Sequence, residues 1–130
     1  MIVADASVLV AAITDDTEIG AAAFEALQAD DQWAGPEHLV VETVAAMRGR
    51  WRKGAVSDDR DAAALRFLRR AEITRVDTAP LLSRIWELRD DLTSYDAAYV
   101  AAAEALDVPL VTADRRLARA PGLRCRIVVP

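Results

Sequence analysis

The sequence is short of the residues from which several kinds of site are built. It carries one cysteine, Cys125, one histidine, His38, and one lysine, Lys53, in 130 residues. A lone cysteine forms no internal disulfide and has no partner for a thiolate metal site, which fits a reducing compartment. A lone histidine excludes any centre made of several imidazoles, and no nucleophile-elbow motif accompanies it to suggest a serine triad. No uninterrupted apolar run reaches membrane-spanning length, and no basic segment leads into an apolar stretch and a small-residue cleavage site. The expectation is a soluble, cytoplasmic protein with no membrane partner. Repeats, low-complexity tracts and linkers are also missing. With 53% of its residues apolar, the chain is long enough for one core, so a single domain is expected over residues 1–130.

The formal net charge of −5 argues at first against nucleic acid, because phosphate binding leaves a basic footprint. The distribution weakens that objection. Arg48, Arg50, Arg52 and Lys53 stand together without an acid between Thr43 and Ser57, and five arginines, Arg115 and Arg116 among them, follow one another without an acid from Arg115 to Pro130. Either group is a candidate for backbone contacts to RNA. The run "RGRWRK" equally fits a solvated helix C-terminus, where the dipole favours cations.

Short apolar runs alternate with longer helical ones. Strands are expected at Ile2–Ala4, Gln32–Ala34, Ile73–Val76, Pro109–Val111 and Arg126–Val129. Helices are expected at Thr17–Ala29, from Pro36 through "EHLVVETVAAMRGRW", at Ser57–Arg70, Ala79–Leu88 and Ser94–Leu106, with a helical turn at Asp114–Arg119. Pro36 is assigned to the first helical turn, where its missing donor costs nothing. Strands alternating with helices imply an α/β fold, a mostly parallel sheet covered on both faces. In such sheets ligands collect outside the carboxyl ends of the strands.

That rule draws attention to four acids. Asp5 interrupts the apolar opening "MIVADASVLVAAI", a position where a carboxylate destabilises the fold unless it caps a turn or holds a cation. Asp114 follows the strand "PLVT". Glu42 lies among Val40, Val41 and Val44, and alternatively shares a polar stripe with His38 at i,i+4. Asp96 opens the helix "SYDAAYVAAAEAL"; taken alone it reads first as a cap, since Thr93-x-x-Asp96 matches a capping box. Four carboxylates at one sheet edge repel one another unless cations neutralise them, so a shared site implies metal. All-oxygen ligands suit Mg²⁺ or Mn²⁺, ions that activate water and polarise phosphoryl oxygens. Ser7 and Thr112 are short hydroxyls two residues from Asp5 and Asp114, placed to orient a carboxylate or to cap. Asp90 and Asp91 are the nearest competitors of Asp96.

"IVADASVLVAAI", "PEHLVVETVAAMRGR", "LTSYDAAYVAAAEAL" and "PLVTADRRLAR" together resemble, in order and spacing, the PIN-domain toxins of the VapC type, ribonuclease partners in bacterial type II toxin–antitoxin pairs. The resemblance implies a Rossmann-like three-layer sandwich around a central, mostly parallel five-stranded sheet. It puts the family's four acids on Asp5, Glu42, Asp96 and Asp114, holding Mg²⁺ or Mn²⁺. It also implies a metal-dependent endoribonuclease that cuts structured RNA such as tRNA or rRNA, leaving a 5′-phosphate and a 3′-hydroxyl. A VapB-type antitoxin would block the site, and a homodimer is expected, with the apolar helices between residues 36 and 70 as its interface. Two rival readings use the same acids. One is a phosphate-handling α/β enzyme, although a phosphotransfer receiver wants paired acids after the first strand and a lysine near the end. The other is a non-catalytic module that binds RNA or protein.

Overall fold

In the computed structural model, which describes residues 1–130, five short strands form one sheet. They are β1 (Ile2–Ala4), β2 (Trp33–Pro36), β3 (Ile73–Val76), β4 (Leu110–Val111) and β5 (Ile127–Val128). Their spatial order is β3-β2-β1-β4-β5 and every pairing is parallel. β1 is therefore central, and all three of its residues are buried, as expected of a parallel strand covered on both faces. The chain steps outward from β1 through β2 to β3, then returns to the other side of β1 for β4 and β5. That reversal puts the topological switch point between β1 and β4, where the crevice of an open parallel sheet lies.

Six α-helices make the outer layers: α1 (Ala6–Thr14), α2 (Glu18–Gln28), α3 (Leu39–Arg52), α4 (Asp58–Arg70), α5 (Leu82–Glu87) and α6 (Ser94–Leu106). α1 packs against α2, α3 and α4, whereas α6 packs on β1, β2 and β4 and against α5. Right-handed crossovers place the first group on one face and the second on the other. α6 sits close to the sheet because alanines fill its inner surface: Ala97, Ala98, Ala101, Ala102 and Ala103 are all buried. α1 is buried almost all round, so it has no polar stripe to betray a helical period. No helix is long and apolar enough to cross a membrane.

The expected strand at Ile73–Val76 and the helix at Ser94–Leu106 coincide with β3 and α6. Thr17 and Ser57, expected as first helical residues, are N-caps whose hydroxyls accept from the backbone N–H of Ile19 and Arg60. Pro36 needs a correction. It is the last residue of β2, paired with Val76, and α3 begins only at Leu39 after His38 at the N-cap. The same fixed φ and missing donor that suit a first helical turn also suit the end of a strand. The expected helix Ala79–Leu88 is a 3₁₀ turn, Ala79–Leu81, leading into α5. Asp114–Arg119 shortens to a 3₁₀ turn at Leu117–Arg119.

Two helical glycines have opposite surroundings. A Cβ at Gly20 would lie 1.9 Å from the backbone oxygen of Asp15, while one at Gly49 would meet nothing within 4 Å. Gly20→Ala is therefore expected to destabilise the protein in spite of alanine's higher helix propensity. Gly49→Ala should stabilise it by about 0.5–1 kcal/mol. Urea unfolding of the two variants checks both signs.

Candidate active site

The sheet register builds the site. Ala4 pairs with Val111 as the last residues of β1 and β4, so the residues that leave the two strands side by side are Asp5 and Thr112. Both are buried, Asp5 at 5% exposure and Thr112 at 0%. The Thr112 hydroxyl donates to Asp5 Oδ2 at 2.5 Å, and the Ser7 hydroxyl, from the first turn of α1, donates to the same oxygen at 2.6 Å. Each hydroxyl is itself polarised by a backbone N–H: Ala113 donates to Ser7 Oγ and Asp114 to Thr112 Oγ1, both at 3.0 Å. Four donors in two tiers thus converge on one carboxylate oxygen.

Asp5 occupies the N-cap position of α1, but its side chain makes no capping bond. The cap and the site were alternatives in the sequence, and the carboxylate turns toward β4. Burial pushes its pKa up; the Ser7 and Thr112 hydroxyls pull it down, and the Asp96 charge adds a further push upward. The last effect places Asp96 within electrostatic reach of Asp5.

Asp96 and Asp114 share a cation. The Arg116 guanidinium stands 3.3 Å from Asp96 Oδ2 and 3.7 Å from Asp114 Oδ2. Asp114 also serves the turn that follows it, its Oδ1 accepting from the backbone N–H of Arg116 and Leu117. Asp96 completes half of the capping box. Its backbone N–H donates to Thr93 Oγ1, and its carboxylate goes to Arg116.

Glu42 joins from the first turn of α3. The Tyr99 hydroxyl donates to Glu42 Oε2 at 2.6 Å, and His38 Nε2 lies 3.6 Å from the same oxygen. Tyr99 is fully buried. Burial first, then the hydrogen bond to Glu42 and the Glu42 and Asp5 charges, drive its phenol far above the ordinary range, so it stays protonated as a hydrogen-bond donor. The His38 ring lies edge-on to both Tyr95 and Tyr99, with centroids 5.3 Å and 5.2 Å away. His38 is thus a half-buried element of the site wall. Tyr99 was not singled out from sequence, and His38 entered only as the i,i+4 neighbour of Glu42, a spacing that brings the two together here. The available signal was a tyrosine in an alanine-rich helix, one turn from Asp96, whose hydroxyl needs a partner if buried.

Other candidates fall away from this cluster. Asp90 and Asp91 are exposed in the turn after α5, and Asp90 lies 4.0 Å from its neighbour Arg89. Arg50 pairs with Asp15 at 3.1 Å. Arg48, Arg52 and Lys53 are exposed toward the far end of α3, about 9 Å from Glu42 for Arg48 and about 15 Å or more for the other two by helical rise. Arg115 and Arg116, both exposed, are the basic residues beside the acids. The groove with the most room lies elsewhere, lined by Val44, Leu65 and Leu68 of α3 and α4 and by Ile73 of β3.

The donor set suits a hard divalent cation, being carboxylates and hydroxyls without thiolate. Asp5 Oδ2 takes both the Ser7 and the Thr112 hydroxyl, and a guanidinium already sits between Asp96 and Asp114. No three acidic, histidine or cysteine side chains converge tightly enough to enclose an ion as they stand. The fit is therefore one of charge and ligand type, with Arg116 standing in for positive charge.

Comparison with known proteins agrees with this architecture. The PIN domain family model matches residues 2–123. Ribonuclease VapC9 of Mycobacterium tuberculosis is 41% identical over 99% of this chain and 98% of its own length. Among solved structures, VapC20 of Mycobacterium tuberculosis, a sarcin-ricin loop cleaving toxin, superposes with a TM-score of 0.71 over the whole of both chains at 18% identity. VapBC2 from Rickettsia felis, solved with a DNA fragment from its promoter, gives 0.64 over 98% of this chain and 99% of that one at 21% identity. A parallel sheet with acids gathered at its switch point, a family model spanning nearly the whole chain and a full-length relative at that identity lead to one assignment: the chain belongs to the PIN-domain family, among the VapC-type proteins.

Proposed function

We propose that the protein is a Mg²⁺- or Mn²⁺-dependent endoribonuclease, the toxin of a toxin–antitoxin pair, acting on structured RNA. One observation carries the reading: the buried Asp5 carboxylate at the switch point, within electrostatic reach of Asp96, with Oδ2 held by the Ser7 and Thr112 hydroxyls. The ribonuclease names of full-length relatives support the activity. Neighbouring structures, a VapBC pair and a toxin–antitoxin complex, support a VapB-type antitoxin as partner. A second copy of the chain is expected to cover exposed Val41, Val44 and Leu65 on α3 and α4.

A divalent cation in the cleft supplies positive charge for the scissile phosphate and lowers the pKa of a water. Asp5, Asp96 and Asp114 would hold it. Glu42, fixed by Tyr99, orients the attacking water and accepts its proton. Ser7 and Thr112 hold the Asp5 carboxylate in place, and Tyr99 acts only by positioning Glu42. Arg116 leaves the carboxylates for the RNA backbone, together with Arg115. Hydrolysis in this sense leaves a 5′-phosphate and a 3′-hydroxyl, because the nucleophile is water and not the RNA's own 2′-hydroxyl.

Purified, antitoxin-free protein should cut total RNA at discrete positions with Mg²⁺ or Mn²⁺ and not with EDTA. Asp5→Ala should lower the rate by about 100-fold or more, the scale of losing one charge-organising group. End mapping decides the chemistry, since 2′,3′-cyclic phosphate ends would contradict it. A folded, metal-loaded protein that cuts nothing across varied RNAs would favour the binding-module reading.

Asp5 also predicts a conflict between stability and activity. Its folded pKa is raised, so the native state binds protons more readily than the unfolded chain. The cost of its charge is present at neutral pH and disappears as pH falls through the folded pKa toward 3.8. In EDTA at neutral pH, inactive Asp5→Asn should therefore melt at a higher temperature than the wild type, by a margin that shrinks on acidification. Mg²⁺ at 100 times its dissociation constant should stabilise the wild type by about 2.7 kcal/mol and the variant far less. Thermal melts with and without Mg²⁺ test both statements.

Removing the Arg116 charge should weaken RNA binding uniformly across sequences. The slope of log K against log salt should fall by about 0.7 for one lost contact to a single-stranded phosphate. Binding titrations at several salt concentrations with Arg116→Ala check this.

A further inference from the structure

We propose that Tyr95 is a stacking platform for one unpaired nucleobase beside the phosphate held at the acidic cleft. The proposal rests on the nuclease reading above and narrows its substrate to RNA with an unstacked nucleotide next to the cut.

α6 carries tyrosines one turn apart, with opposite fates. Tyr99 is buried and its hydroxyl is committed to Glu42. Tyr95, directly before Asp96, is 62% exposed, and no hydrogen bond within the chain engages its hydroxyl. It is nevertheless not a loose side chain. The His38 ring meets it at an interplanar angle of 73° and meets Tyr99 at 74°, so three rings run in contact from the core to the rim of the cleft. Through His38 the plane of Tyr95 is referenced to the same buried tyrosine that fixes Glu42. A ring pinned on one side and open on the other costs little conformational entropy to use in binding.

Electrostatics decides which part of an RNA goes there. Tyr95 directly precedes Asp96, and the His38 ring against it lies 3.6 Å from Glu42 Oε2, so a phosphate there is repelled and a neutral base is not. Arg116, 73% exposed, reaches Asp96 from β4's side of the crevice and offers the cation a phosphate requires. An RNA chain crossing the cleft therefore sets its backbone toward Arg116 and a base toward Tyr95. Bases inside an A-form helix are covered on both faces, so only a nucleotide in a loop, bulge or single strand can take this position. Stacking on an aromatic ring tolerates any base, so Tyr95 selects for unpairedness and not for sequence.

The test uses the RNA segment cut by the wild-type protein, synthesised with 2-aminopurine next to the cut, once with that nucleotide unpaired and once in full duplex. Tyr95→Ser should raise KM on the unpaired substrate by about 5- to 150-fold, the affinity of one stacked base, with kcat nearly unchanged. Tyr95→Phe should restore KM, and 2-aminopurine fluorescence should be quenched on binding to the wild type and to Tyr95→Phe but not to Tyr95→Ser. The duplex should be a poor substrate for all three. Equal KM for Tyr95→Ser and wild type, or equal cutting of the duplex, would overturn the platform while leaving the nuclease intact. A Tyr95→Ser protein that cuts normally but escapes its antitoxin would reassign the ring to a protein contact. If the wild type cuts no RNA, the nuclease reading fails first and the platform falls with it.

Discussion

The arrangement of this protein depends on one buried carboxylate. Asp5 leaves the central strand at the switch point of the sheet, almost without solvent, where an unpaired charge is among the most expensive things a fold can contain. The charge is tolerated because the register of β1 with β4 brings Thr112 alongside, and because Ser7 follows on the first turn of α1. Both hydroxyls receive backbone N–H donors of their own, which makes them better donors to Asp5. A one-residue slip of β4 would take Thr112 away and leave the carboxylate in an apolar wall. Strand register and site chemistry are thus the same constraint.

The remaining acids are placed by helix ends. Glu42 and Asp96 lie in the first turns of α3 and α6, where the positive end of the helix dipole favours negative charge. This resolves an opposition the sequence had left open, between acids that cap and acids that bind. At Asp96 the backbone N–H is what the cap satisfies, and the carboxylate remains available to Arg116. At Asp114 the division runs between two oxygens of one side chain, Oδ1 serving the following turn and Oδ2 facing Arg116. A side chain can stabilise local structure with one group and serve a site with another.

How much of this was legible follows from what is local. α6 was readable to its end residues because Thr93 marks its start and the alanine run sustains its period. α1 was visible only as an apolar stretch, since a helix buried on nearly every side carries no polar stripe to reveal it. Pro36 was misassigned because its local geometry serves a strand end and a helix start equally, and only pairing with Val76 distinguishes them. Asp5, Asp96 and Asp114 stood out because each follows a strand or opens a helix, and Glu42 because it lies among valines. Tyr99 did not stand out, because the contact that defines it spans 57 residues, whereas His38 was legible through its i,i+4 spacing to Glu42. The basic run Arg48–Lys53 read as one patch, yet Arg50 is drawn off by Asp15 at the end of α1 remote from Asp5, a pairing no local pattern discloses.

The acidic net charge and an RNA substrate are compatible for a reason that follows from the same geometry. Of the net −5, the four cleft carboxylates account for four, so the rest of the molecule is nearly neutral and the repulsion of RNA is concentrated where a cation would bind. On the proposed reading, RNA and divalent metal cannot enter independently. Positive charge in the cleft lowers the penalty for a phosphate and releases Arg116 from Asp96 and Asp114 to meet the backbone, and by linkage a bound phosphate tightens the metal in return. Arg116 is the element both ligands compete for or displace. With neither bound it neutralises the acids, and with both bound its charge is freed for the substrate, so a single exposed arginine reconciles an acid-lined cleft with a polyanionic ligand.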